Sequence, residues 1–196
     1  MTNKFKYKLF GRFRGRKRKQ VLNKDATKEY KINIDKDLKT SNYNILDIGS
    51  GSGENAIFLS KLYPKAKIIT CEIFEDGNIN LENTIVKNKI KNIKLYKGNV
   101  LEFLDITDQN FYFSQIWILF PDPWPKLRHH KRRLINSDFL KTIYLYLKKD
   151  GKIFIATDSK SYSHSILNII YSMQDIFLWK NQRKFDWDYA NLNVPK

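Results

Sequence analysis

The stretch Leu46–Glu54, LDIGSGSGE, sets the fold, because a short apolar run breaks there into three glycines at every second position. Glycine tolerates positive φ and close backbone approach, and a helix starting after it offers unpaired N–H groups. A dinucleotide-binding loop would read Gly-x-Gly-x-x-Gly and place its third glycine where Glu54 stands. Here Gly49, Gly51 and Gly53 are evenly spaced and Asp47 precedes them inside the strand. A negative side chain beside the loop suits a cationic ligand better than a pyrophosphate.

Downstream, ENAIFLSKLYP carries Ala56, Leu59, Ser60 and Tyr63 at helical spacing and is stopped by Pro64. AKIITCEI then reads as a buried strand, and 74–89 as a helix. NIKLYKGN and SQIWILF are further strands. SDFLKTIYLYLKKDG reads as one helix, with a Ser or Asp start and Gly151 past its end. KIFIATD is a fifth strand, SYSHSILNIIYSM a helix and IFLWKN a sixth strand. This alternation predicts an α/β fold with a mostly parallel central sheet and helices on both faces. Ligands in such sheets bind beyond the C-terminal strand ends, where strand order reverses. Each chemically loaded stretch falls there: DIGSGSGEN, CEIFEDG, GNV, FPDPWPK and ATDSKSY.

The chain has 196 residues, 42% of them hydrophobic, which suits one domain with a sizeable core and excludes wholesale disorder. Thirty-six Lys and Arg against twenty Asp and Glu leave a net charge of +16, a field that draws in polyanions such as nucleic acid. Residues 1–20 hold nine of the cations and no acid, and are expected to be a flexible RNA-contacting arm ahead of a domain over 21–196. The lone Cys71 cannot pair within the chain and reads as a small buried side chain. The longest apolar run, FYFSQIWILF, is about half the roughly 20 residues a bilayer span requires. No hydrophobic signal region opens the chain, so a soluble cytoplasmic protein is expected.

The fourth strand ends in FPDPWPKLRHHKRRL, residues 120–134. Prolines cannot donate to a ladder and force extended geometry on the residue before them. PDPWP is therefore a stiff strap that presents Asp122 with little entropy to lose on binding. A carboxylate can accept the N–H groups of a guanine's pairing edge, and Trp124 offers a flat face for stacking, although a core position suits that ring equally. Lys126, Arg128, Lys131, Arg132 and Arg133 are candidate phosphate contacts. Adjacent His129 and His130, without Cys or Glu at ligand spacing, suit an RNA-facing role better than a metal, so no metal centre is expected. His164, on a helix, reads as structural.

The glycine loop resembles motif I of the class I S-adenosylmethionine-dependent methyltransferases. That resemblance implies a Rossmann-like fold and S-adenosylmethionine as cofactor. It places Asp47, Gly49, Gly51 and Gly53 around the cofactor, Glu72 on its ribose hydroxyls and Asn99 on its adenine, where the family often has Asp. FPDPWPKLRHHKRRL is similar to the diagnostic stretch of the bacterial tRNA (guanine-N7-)methyltransferases, and ATDSKSY to that family's Ala-Thr-Asp motif with a following tyrosine. The likeness implies tRNA as partner, Asp122 as catalytic residue and Lys126 beside it. Asp158, Trp124, Arg128 and Tyr162 become substrate contacts. The family continues with a Thr-x-Tyr/Phe-Glu element and a last strand. This sequence ends in NLNVPK where that element should begin, so either it is a truncated form whose sheet lacks its last strand, or its C-terminus differs. Monomer and homodimer both stay open.

Guanine N7 carries a free lone pair at neutral pH, so methylation there requires no general base. The purine turns cationic as the methyl arrives, and a carboxylate stabilises that charge more in the transition state than before it. Two other readings remain: an enzyme acting on exocyclic amines, since Asp-Pro-Trp-Pro is similar to their Asn/Asp-Pro-Pro-Tyr, and an RNA-binding protein with a relic nucleotide fold.

Overall fold

The computed structural model describes residues 7, 10, 11, 30–33, 37 and 43–180. Both the basic arm expected over 1–20, apart from residues 7, 10 and 11, and the NLNVPK end lie outside the described residues. The chain divides into two compact units, Met1–Leu119 with Tyr146–Ile155, and Phe120–Leu145 with Ala156–Lys196.

The first unit is built on a five-stranded sheet in the order β3-β2-β1-β4-β5. Its strands are β1 (Asn44–Ile48), β2 (Lys67–Cys71), β3 (Ile93–Tyr96), β4 (Phe113–Leu119) and β5 (Leu147–Ala156). β1 pairs in parallel with β2, Leu46 opposite Ile69, and with β4, Leu46 opposite Ile116. β2 pairs in parallel with β3. The strand order reverses at β1, as in doubly wound Rossmann-like sheets. All five β1 residues are buried, which is why Ile45–Ile48 reads as an apolar run broken only by Asp47. The chain near residue 31 runs along the free side of β3, where Leu95 donates to the Tyr30 carbonyl at 2.8 Å and accepts from Ile32 at 3.1 Å.

Helices α1 (Glu54–Leu62) and α2 (Glu75–Asn88) cover the sheet, and α3 (Val100–Asp105) follows β3. Ala56 and Leu59 of α1 and Leu81 and Ile85 of α2 pack with Ile45, Ile68 and Ile93 at 0% exposure. Burying each of the larger side chains contributes about 1.5–3 kcal/mol. Trp117 of β4 stacks on Phe154 of β5, ring centroids 4.1 Å apart, and its indole N–H donates to Gln115 at 2.8 Å. Cys71 is buried as expected, and burial pushes its thiol well up.

Two sequence expectations fail. The helix expected to run to Lys149 or Asp150 is α4 (Ser137–Tyr144) alone, and the KKDG segment already belongs to β5. Tyr146 turns the chain back to the sheet: its hydroxyl donates to the Leu104 carbonyl at 2.7 Å and its carbonyl accepts from Phe113 at 2.7 Å. Asp150, at φ 61, absorbs the irregularity inside this long strand. The cap at the other end is Asn136, whose side chain accepts from Phe139 N–H at 3.0 Å.

The second failure is the sixth strand at IFLWKN. Residues 176–180 form a turn and irregular chain after α5 (Lys160–Ser172). The N–H groups of Ile176 and Phe177 both donate back to the Met173 carbonyl, which curls the chain instead of extending it. Among the described residues no helix is long and apolar enough to cross a membrane.

Candidate active site

In the first unit the three glycines form a loop between β1 and α1 with φ of 72°, 55° and 88° at Gly49, Gly51 and Gly53. All three angles are left-handed, the region in which a side chain is strained. Backbone bonds close the loop: Gly49 N–H to the Cys71 carbonyl at 2.8 Å and Gly53 N–H to the Ser50 carbonyl at 2.8 Å. Gly49 and Gly51 have open space where a Cβ would stand. Gly53 does not, since an added Cβ would meet the Leu81 side chain at 2.4 Å.

Glu72, just past β2, joins this loop to the next. One carboxylate oxygen accepts from Gly51 N–H at 2.7 Å and the other from Phe74 N–H at 2.7 Å. Two charge-assisted bonds make it a clamp on the glycine loop. Asn78, in the first turns of α2, supports the clamp by donating to the Glu72 and Phe74 carbonyls at 2.9 and 3.2 Å.

Asp47 is 2% exposed, and Asn55 donates to one of its oxygens at 3.0 Å. The other oxygen has no partner. Burial raises its carboxyl from the usual carboxylate range to about 7; the Asn55 bond opposes the rise and the nearby Glu72 carboxylate adds to it. Ser50 Oγ, Asn55 Oδ1 and Asn78 Oδ1 are likewise buried without partners. Buried polar atoms are normally paired, and orphaned acceptors clustered on one loop and its flanking helices match a ligand rich in donors. S-adenosylmethionine, with an ammonium, two ribose hydroxyls and an exocyclic amine, is such a ligand. Asn99, expected at the adenine, caps α3 with its side-chain oxygen on Leu101 N–H at 2.9 Å.

In the second unit the strap opens at Phe120, whose N–H donates to the Ala156 carbonyl at 2.8 Å. Phe120 and Trp124 hold left-handed φ of 50° and 44°, a conformation costing about 1–3 kcal/mol per residue that surrounding contacts must impose. Asp122 and Lys126 are exposed, as are Arg128 at the start of the short 3-10 helix Leu127–Arg132 and Asp158 ahead of α5. Trp124 is half-buried, with the Arg132 guanidinium 5.0 Å from its ring centre and His129 edge-on at 5.8 Å.

Arg133, expected among the phosphate contacts, is instead 5% exposed. It donates to the Pro123 carbonyl at 2.9 Å and to Ser161 Oγ at 3.1 Å, and meets His130 Nε2 at 3.0 Å. Its place at the end of a run of cations hid this, because a run of like charges carries no mark of which member turns inward. Tyr162, expected at the substrate, is fully buried, and its hydroxyl accepts from Ile135 N–H at 2.9 Å. The Arg133 guanidinium lies 4.7 Å from the centre of its ring. His164 is exposed on α5.

Sequence reasoning missed Gly77 and Asn78. A Cβ on Gly77 would stand 2.3 Å from the Gly51 carbonyl oxygen, so this glycine is what lets α2 close on the loop. Its only sequence signal was a glycine in the first turn of a helix, where Gly is costly without a packing reason. Among the described residues no group of three or more His, Cys, Asp or Glu could hold a metal ion.

Comparison with known proteins converges on these segments. A family described as "Putative methyltransferase" matches residues 41–188, which include both the glycine loop and the strap. A tRNA (guanine-N(7)-)-methyltransferase of Buchnera aphidicola subsp. Schizaphis graminum is 36% identical over 131 residues, 67% of this chain and 55% of that protein. One of Nitrosomonas europaea is 37% identical over 128 residues, 65% of this chain and 57% of that protein. The chain thus spans about half the length of the curated relatives it matches. Among solved structures, precorrin-6y C5,15-methyltransferase from Geobacter metallireducens matches with a TM-score of 0.53 at 15% identity, covering 76% of this chain and 68% of that one. A "putative methyltransferase" from Streptococcus mutans in complex with SAH matches at 0.52 and 16%, covering 68% and 74%. At these identities the structures speak for the fold alone.

Proposed function

The chain belongs to the family matched over residues 41–188, which it shares with bacterial tRNA (guanine-N7-)methyltransferases, and on that premise we propose that it transfers a methyl group from S-adenosylmethionine to N7 of a guanosine in tRNA. The observation that carries the reading is that one family match takes in both the donor-type glycine loop and the acidic proline strap.

Asp47, Gly49, Gly51, Gly53 and Glu72 would hold S-adenosylmethionine, whose sulfonium supplies an electrophilic methyl group. Gly49 and Gly51 leave room for close approach, while Glu72 presents two acceptor oxygens already fixed by backbone N–H groups. Asp47 offers its unpartnered oxygen to a donor on the ligand. Asn99 Oδ1, which caps α3 through Leu101 N–H, keeps a second lone pair for the adenine amine.

On the second unit, Asp122 accepts the N–H groups of the guanine's pairing edge and stabilises the positive charge that grows on the purine. Asp158 assists. Trp124 stacks on a base, and Lys126 and Arg128 contact phosphates. Tyr162 acts through Ile135 and Arg133, which its hydroxyl and ring contact. No residue removes a proton before attack, since N7 is unprotonated at neutral pH. Positioning alone can supply on the order of 7–11 kcal/mol of the barrier.

Replacing Asp122 by alanine tests this directly. Labelled-methyl incorporation into unmodified tRNA is expected to vanish while S-adenosylmethionine affinity, read by calorimetry, stays within about twofold, since the carboxylate acts on the base rather than the donor. Turnover retained in the variant refutes the assignment.

A further inference from the structure

We propose that Arg133 is a positioning residue for the transfer: a buried guanidinium latch that fixes the strap carrying Asp122. The inference rests on the function proposed above. Arg133 is 5% exposed, and the ion pairs among the described residues do not include it. A buried cation without a counter-charge is costly, and a neutral side chain of similar volume would pack there at lower cost. What the guanidinium touches explains its presence.

Its Nε–H grips the Pro123 carbonyl at 2.9 Å. That carbonyl belongs to the peptide unit between Pro123 and Trp124, and its orientation sets the left-handed φ of 44° at Trp124. Asp122 is the residue immediately before. The same guanidinium reaches Ser161 Oγ through Nη2 at 3.1 Å and His130 Nε2 at 3.0 Å, and lies 4.7 Å from the centre of the Tyr162 ring. Ser161 is in the first turn of α5, three residues after Asp158. One planar group therefore ties together the two segments that bear the exposed carboxylates Asp122 and Asp158, both in the second unit.

Lysine cannot replace it. A single ammonium has no fork with which to hold a carbonyl through one nitrogen and a hydroxyl through another while stacking on an aromatic face. With the latch gone, Pro123–Trp124 is free to leave its strained conformation, and Asp122 moves with it.

The test compares the 196-residue wild type with Arg133→Ala, Arg133→Lys and the milder Ser161→Ala in two arms. In the kinetic arm, both Arg133 variants are expected to lose about 10²-fold in kcat, the scale of a misplacement near 1 Å, with donor affinity unchanged. Ser161→Ala, which removes one bond of the set, should lose only a few-fold. Added guanidinium at millimolar concentration should restore part of the Arg133→Ala activity, a rescue that a general packing defect would not show. In the second arm, amide hydrogen exchange across residues 121–133 should quicken about 10-fold or more in Arg133→Ala, as loss of a charge-assisted hydrogen bond to the backbone predicts. Exchange in β1 and β2 should not change. Wild-type-like kcat in Arg133→Lys, or unchanged strap exchange in Arg133→Ala, overturns the latch. A wild type that methylates no guanosine would sink the proposed function instead, and the exchange arm would still decide the latch. If Arg133→Ala does not fold, Arg133→Lys and Ser161→Ala carry both arms.

Discussion

Asp47 is the residue on which burial and charge conflict most directly. Its carboxyl is raised from 3.8 to about 7, first by burial. Between those values the folded protein keeps a proton that the unfolded chain has released, so the unfolding free energy falls as pH rises across that window and is level on either side. Across that window the stability difference amounts to roughly 4 kcal/mol, at about 1.36 kcal/mol per pH unit. Asparagine has the shape of the neutral acid and cannot titrate. Urea unfolding at pH 4.5 and 7.5 should therefore show wild type losing stability on the alkaline side relative to Asp47→Asn. Parallel pH profiles for the two proteins would mean that Asp47 is not held protonated by its site. For Glu72→Ala the expected loss is of S-adenosylmethionine affinity, measured calorimetrically, with tRNA affinity little changed. The reverse pattern would remove Glu72 from the donor site.

The helix α2 shows how an element can shape a site without lending it a catalytic group. Gly77 lets its first turn approach the Gly51 carbonyl, and Asn78 then fixes the carbonyls on either side of the Glu72 turn. Gly77→Ala would drive a methyl group to 2.3 Å from that oxygen and 2.9 Å from the Gly51 carbonyl carbon, both backbone atoms. The variant is expected to lose about 1–3 kcal/mol of stability, as overpacking does, and at least about tenfold in donor affinity. Unaltered donor affinity would show that the loop tolerates the shift. Elements also mark the limit of what the sequence discloses. β1 to β4, α1 and α2 were legible because their apolar periods agree with their burial. The end of α4 was not, since LYLKKDG suits a helix locally and only the tertiary bonds of Tyr146 divert it into β5. IFLWKN has the composition of a strand, yet the Met173 carbonyl takes two of its first N–H groups.

At the scale of the molecule, +16 on 196 residues gives long-range attraction to any polyanion, while recognition is left to a few fixed groups. Nine of the cations lie in residues 1–20. Deleting the first nineteen residues should weaken tRNA binding and flatten its dependence on salt, by roughly 0.7–0.9 in the log–log slope for each phosphate that is no longer neutralised. An unchanged slope would make that segment a bystander. The left-handed glycine loop between β1 and α1 was legible from its glycine spacing. The exposure of Asp122, Lys126 and Arg128 was legible from the proline strap and the cations after it. The burial of Arg133 and Tyr162 was not legible, because burial of one cation in a run, or of one aromatic after a motif, leaves no trace in composition. Borohydride reduction and aniline scission of tRNA treated with the chain and S-adenosylmethionine distinguishes N7 methylation from every other methyl transfer. Cleavage at one guanosine, dependent on both chain and donor, is the expected result. Intact tRNA, or a methyl label found on an exocyclic amine, would contradict it.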